Sequence, residues 1–250
     1  MRKILFQWHG LTIYSYPAML YLGLVAGVFS GVWVAQSSGM NADSFALAML
    51  ILLVPALVGA RLYFVFTRWD LYRREPRRIW RRSEGGMAMY GGLILAVSLS
   101  FPLLRALDLS FGAFWDAATF TMLLGMAFTR IGCLLNGCCG GRPTTAWLAL
   151  ELPDDRGIWQ RRYPTQLMEA AFALLLFAAA FTLRSRAPFP GAIFCSAVIA
   201  YGAGRFFLER LREDETGGRD RAAMQITSVV LLVGALAGLA IVWSRGFSTY

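Results

Sequence analysis

Arg130 and Arg205 are the residues on which chemistry in this chain would turn, because each is embedded in sequence too apolar to hold an isolated guanidinium. A charge at the centre of a membrane span costs at least ~2.5–3.5 kcal/mol, so such an arginine faces a polar cavity and a partner. Two of them in one dry cavity would make charge-assisted, bidentate bonds to a phosphate. Arg130 opens the stretch TRIGCLLNGCCGGRPT (129–144). Cys133 lies three residues on and shares its helical face, with Gly137 one turn further. Asn136 and Gly137, then Gly140 and Gly141, loosen the backbone so that amides can approach an anion. In YGAGRFFLERLRED, Tyr201, Arg205 and Glu209 recur every four residues and share a face, with Arg212 three beyond Glu209. An Arg205–Glu209 ion pair that merely locks a helix end is the alternative.

The remaining candidates are more dispersed. Tyr90 is bracketed by the pairs Gly85-Gly86 and Gly91-Gly92, which open backbone around a phenol able to donate a hydrogen bond. Arg61 follows Gly59-Ala60 and either faces a cavity or snorkels to the interface. Tyr14, Tyr16 and Tyr21 cluster near a span start, where aromatics serve as interfacial anchors. In RRYPTQLMEA, Pro164 biases Tyr163 toward extended geometry, Thr165 reads as a helix cap, and Gln166 and Glu169 face inward together. The cysteines Cys133, Cys138, Cys139 and Cys195 form no C-x-x-C, and adjacent cysteines without a nearby histidine do not read as a metal site. Neither a metal nor a cofactor is expected, nor a disulfide framework.

These residues require helices that cross a membrane. Of 250 residues, 57% are hydrophobic and 16% charged, with mean hydropathy +0.53, which excludes an ordinary soluble fold. Seven stretches are long enough to span ~30 Å of hydrocarbon: 13–36, 44–67, 87–107, 112–136, 165–183, 189–208 and 222–243. The expectation is an all-α polytopic membrane protein, seven transmembrane helices around a central polar cavity, as one integral membrane domain over 1–250. A β-barrel would show short alternating segments instead. The apolar run near the N-terminus is too short for a secretory signal and the first span too long, so that span is expected to be retained.

Two loops stand out. The segment 68–86 interleaves arginines with Trp69, Tyr72 and Trp80 and reads as an interfacial stretch on an anionic bilayer surface; nucleic acid is the weaker reading. The segment 140–163 is a small non-membrane loop. Most of the 24 Lys and Arg lie on the side of the N-terminus and of these loops, which by the positive-inside rule is the cytoplasm.

YGGL around Tyr90, TRIGCLLNGCCGG around Arg130, YPTQLMEA and YGAGRFFLERLRED, in that order, resemble the motifs of the bacterial phosphatidylglycerol:prolipoprotein diacylglyceryl transferase family. The resemblance covers nearly the whole chain. It implies a multi-pass protein of the bacterial inner membrane. This would transfer the diacylglyceryl group of phosphatidylglycerol to the lipobox cysteine thiol of a lipoprotein precursor, forming a thioether and releasing glycerol phosphate. The family's essential arginines fall on Arg130 and Arg205, its membrane tyrosine on Tyr201, the following glutamate on Glu209 and its first-span tyrosine on Tyr16. Arg130, Arg205, Tyr90, Tyr201 and Glu209 are the catalytic candidates; Tyr16, Arg61, Cys133, Asn136, Gly137, Gly141 and Gln166 are the substrate-binding ones. The chain departs from the family pattern where Tyr90 replaces histidine and where Cys133 and Cys138 stand for asparagine and glutamate. The family orientation, with the N-terminus and the site outside, is opposite to the one the arginine count gives. A transferase with a different acceptor and a non-catalytic lipid-binding protein are the competing expectations.

Overall fold

A computed structural model describes residues 2–9, 11–80, 89–154, 157–213, 225–230 and 233–234. Six of its helices are long and apolar enough to cross a membrane: α1 (Ser15–Ser37), α2 (Ala42–Thr67), α4 (Met89–Ala106), α5 (Phe111–Asn136), α6 (Thr165–Leu183) and α7 (Ala192–Glu209). Phe29, Phe66 and Leu175 on their outer faces are exposed by the chain itself, as residues turned to lipid would be. The protein is therefore an all-α polytopic membrane protein. Of the expected seventh span at 222–243, residues 225–230 are helical and most of the rest lies outside the described residues, as do Gly85, Gly86 and positions 81–88 of the arginine-rich loop.

The chain forms two compact units, residues 1–34 with 115–250, and residues 35–114. In the second unit α2 and α4 cross on glycine. A Cβ at Gly59 would lie 2.4 Å from the Gly91 carbonyl oxygen, and one at Gly92 would lie 2.7 Å from that of Ala56, so only hydrogen permits this approach. Pro55 and Pro102 are accommodated inside the two helices. The arginine-rich loop begins as a single helical turn, α3 (Trp69–Tyr72), and a 3₁₀ turn at Pro76–Trp80. Trp69 is exposed, whereas Tyr72 is buried. The Arg61 guanidinium is held by backbone of the arginine-rich loop: its Nε donates to the Ile79 carbonyl at 2.9 Å and a terminal nitrogen to that of Arg78 at 3.3 Å.

The first unit opens with a feature the helical reading did not include. Residues Ile4–Trp8 (β1) and Leu11–Tyr14 (β2) pair antiparallel, so the first helix starts at Ser15 rather than at residue 13. Helices α1 and α5 meet through small residues, with Gly23 against Gly125 and Phe128, and Gly27 against the Thr121 carbonyl. Helices α6 and α7 meet where Gly204 leaves room for the Phe172 ring, which stacks at 6.3 Å on Tyr201. Asp116 of α5 accepts from the backbone amides of Gly191 at 2.7 Å and Phe194 at 2.8 Å, capping the N-terminus of α7 from a neighbouring helix. The expected loop at 140–163 is also structured: Leu150–Pro153 (β3) pairs antiparallel with Trp159–Arg162 (β4).

Candidate active site

Helix α5 ends in a Schellman turn. Gly137 adopts φ 76°, its amide donates to Leu134, and the Cys138 amide donates back to the Cys133 carbonyl at 3.1 Å. Cys139 follows at φ 61°, an uncommon conformation for a residue with a side chain. The chain thereby doubles back, and the thiols of Cys133, Cys138 and Cys139 all lie within 4.8 Å of one another. None of the four cysteines is in a disulfide. Spacing along the chain gives no sign of such a cluster because it treats the helix and the following loop as one extended line; the Schellman turn folds that line.

The returning loop is held by the start of α6. The Gln166 side chain donates to the Cys138 carbonyl at 2.8 Å and the Thr165 hydroxyl to that of Cys139 at 3.2 Å. Thr165 is therefore the first residue of α6 and a clamp on the loop, while Pro164 occupies the cap position with no side-chain bond. Gly141 then passes between two strands of backbone, where a Cβ would lie 2.4 Å from the Tyr163 carbonyl oxygen and 3.0 Å from that of Leu211. Its amide donates to Tyr163 and that of Arg142 to Leu211, which ties together the end of α5, the entry to α6 and the exit of α7. Arg162, almost fully buried, secures the same junction through Glu213 at 2.5 Å, Gln160 at 3.2 Å and Asp154 at 3.4 Å.

Beneath this junction lies the charged centre. Glu169, on the second turn of α6 and about 1% exposed, receives Arg205 of α7 on one oxygen at 2.5 Å and Arg130 of α5 on the other at 2.6 Å. Arg212 reaches the first oxygen at 3.7 Å, and Arg205 also meets Glu209 at 2.6 Å. Three guanidiniums against two carboxylates leave the cluster one net positive charge, which suits an anionic ligand. Tyr201 is buried beside it, within electrostatic reach of Arg205, Glu169 and Arg130. The Arg205–Glu209 pair is real, but it is one edge of a larger network rather than a helix-end lock.

The thiol cluster adjoins this centre. The neighbouring Cys133 and Cys138 thiols hold the Cys139 thiol below the usual range, with Arg212 and Arg130 adding to the effect. On its outer side a cavity of about 560 Å³ is lined by Arg2, Lys3, Asn136, Cys138, Asp154 and Trp159 among others. The first unit thus assembles most of the sequence candidates in one place: Arg130, Arg205, Tyr201 and Glu209 in the charged centre, and Cys133, Asn136, Gly137, Gly141 and Gln166 in the loop above it. Tyr16 packs on Gly132, two residues beyond Arg130, with its ring 3.5 Å from where a Cβ would stand. Tyr90, buried next to the α2–α4 glycine crossing, and Arg61 belong to the second unit. Glu169, Arg162 and Arg212 were not among the candidates. Glu169 carried the signal that singled out Arg130, an ionisable group inside an apolar helix.

A family model described as prolipoprotein diacylglyceryl transferase matches residues 3–243. The phosphatidylglycerol–prolipoprotein diacylglyceryl transferase of Halalkalibacterium halodurans is 31% identical over 94% of this chain and 84% of its own. Proteins of the same name are 33% identical in Geobacillus kaustophilus, over 91% of this chain and 87% of theirs, and 32% identical in Enterococcus faecalis, over 94% and 88%. With the family model spanning nearly its whole length, this chain belongs to the prolipoprotein diacylglyceryl transferase family.

Proposed function

We propose that this protein is a membrane-embedded transferase of the bacterial plasma membrane that moves the diacylglyceryl group of phosphatidylglycerol to the cysteine thiol of a lipoprotein precursor. The acceptor sulfur forms a bond to the glyceryl carbon that carries the phosphate ester. The carbon–oxygen bond breaks, and its electron pair leaves on the phosphate of glycerol phosphate, which takes up the proton lost by the thiol. Charge grows on that phosphate as the bond breaks. Preorganised guanidiniums in a site closed to water stabilise it without reorganising.

The observation that carries this reading is the convergence of Arg130 and Arg205, from different helices, on the two oxygens of one carboxylate. Glu169 holds the forks in register before the lipid arrives, and the phosphate then shares or takes over their bonds. Glu209 fixes the Arg205 side. The acceptor approaches through the cavity walled by Asn136 and Cys138.

Purified protein given phosphatidylglycerol and a lipobox peptide should release glycerol phosphate, and Arg130→Ala should slow that release by about 10²–10³-fold. The wild-type gene, but not the variant, should restore growth to cells depleted of their own transferase. A folded protein that releases no glycerol phosphate with the peptide would overturn the proposal. The competing reading, a phospholipid-dependent transferase with another acceptor, is favoured by the cysteines at the asparagine and glutamate positions of the family pattern. It predicts a lipid species missing from a deletion strain whose lipoproteins remain modified.

A further inference from the structure

Three thiols within 4.8 Å of one another are an unusual arrangement for residues that only fill space. Thiolates bound to one zinc ion at ~2.3 Å in a tetrahedron stand ~3.8 Å apart, so the cluster needs a contraction of about an ångström at most to hold such an ion. The backbone is already committed to the gathering. Cys139 keeps φ 61°, a strained conformation for a residue with a side chain, and the Thr165 and Gln166 side chains clamp the carbonyls of Cys139 and Cys138. Three protein ligands are also the number found in catalytic zinc sites, which leave the fourth position to water or substrate.

The surroundings match that use. Cys138 lines the 560 Å³ cavity on one side, and Cys139 feels Arg212 and Arg130 on the other. A three-thiolate zinc site carries one net negative charge, which the one net positive charge of the arginine cluster offsets. Among the described residues the only histidine, His9, lies in the exposed N-terminal hairpin, so imidazole is not at hand to take a proton from the acceptor thiol.

We propose that Cys133, Cys138 and Cys139 form a zinc site whose open fourth position binds the acceptor thiol as thiolate, beside the arginines that hold the phosphate. Coordination deprotonates the thiol outright. The proton passes through solvent to the released glycerol phosphate, the sulfur lone pair forms the bond to the glyceryl carbon, and the phosphate oxygen leaves with the electrons of the broken carbon–oxygen bond. The zinc stays divalent throughout. The catalytic role rests on the transferase reading; the metal site itself does not.

The test is made on the full chain, purified in detergent from zinc-supplemented cells. It should carry about one zinc ion per chain, with sulfur scatterers at ~2.3 Å in X-ray absorption. Cys139→Ser should lower zinc affinity by about tenfold or more, while Cys195→Ser, outside the cluster, should leave it unchanged. Should the Cys139 variant fold poorly, cobalt(II) loading of the wild-type protein should give thiolate-to-metal charge-transfer absorption and protect three of the four thiols from maleimide. Zinc well below one equivalent, zinc held without sulfur, or no charge-transfer band would overturn the site. Full transfer activity after zinc removal would overturn its role while leaving the transferase standing. Stoichiometric zinc on a chain that transfers nothing to a lipobox peptide would instead overturn the transferase reading, and the site would survive it.

Discussion

Glu169 is the residue on which the charged centre depends, since its two oxygens are what Arg130 and Arg205 share and what Arg212 approaches. Removing one partner from a buried ion pair costs ~3–5 kcal/mol, because the remaining charges stay buried without compensation. Glu169→Gln should therefore lower the thermal midpoint of the detergent-solubilised protein. Because a phosphate can replace the missing carboxylate, added phosphatidylglycerol should raise that midpoint more in the variant than in the native chain, whereas zwitterionic lipid should not. Equal shifts in both proteins would show that lipid phosphate does not reach the arginines. At this scale the sequence was partly legible. The four-residue spacing placed Tyr201, Arg205 and Glu209 on one face, and the cost of a buried guanidinium singled out Arg130. The carboxylate that unites them was harder to rank, because Glu169 lies on a third helix and no spacing along the chain relates it to Arg130 or Arg205. The nearness of the three thiols was not legible for a related reason: it depends on a positive φ at Gly137 and Cys139, which no count of intervening residues reveals.

Elements carry those side chains into place through contacts that the apolar pattern alone does not specify. Helices α5 and α7 are tied by Asp116, whose two oxygens accept from the amides of Gly191 and Phe194. Asp116→Ala leaves those amides unpaired at a helix N-terminus and should cost ~1–2 kcal/mol, read as a lower thermal midpoint. Activity should fall less than in Arg205→Ala, since Asp116 serves the helix that carries Arg205 rather than the reacting groups. A larger activity loss than in the arginine variant would contradict that division. Hydropathy located the six described spans within a few residues, because a helix in lipid must run apolar for its full length. The two hairpins, Ile4–Trp8 with Leu11–Tyr14 and Leu150–Pro153 with Trp159–Arg162, escaped notice. Their strands are four or five residues long, too short for alternation to stand out beside a transmembrane helix.

For the whole molecule the open tension is orientation. Positive charge gathers on the side of the N-terminus and the arginine-rich loop, which taken alone marks the cytoplasm. A transferase whose acceptor arrives by export works from the outer side. Anionic phosphatidylglycerol in the outer leaflet gives the same arginines a partner there. A cysteine placed at the exposed Arg74 should consequently be labelled by a membrane-impermeant maleimide on spheroplasts, once the reactive native thiols have been blocked. Labelling only after lysis would mean that the charge rule prevails and the acceptor comes from inside. The account as a whole stands on Arg130 and Arg205 acting together on one phosphate. The direct measurement is a double-mutant cycle on kcat/KM for glycerol phosphate release, with Arg130→Ala, Arg205→Ala and the pair. If the two form one clamp, the double variant should be scarcely slower than the worse single one, because either loss already breaks the site. Losses that simply multiply would show two arginines working independently and contradict a shared phosphate.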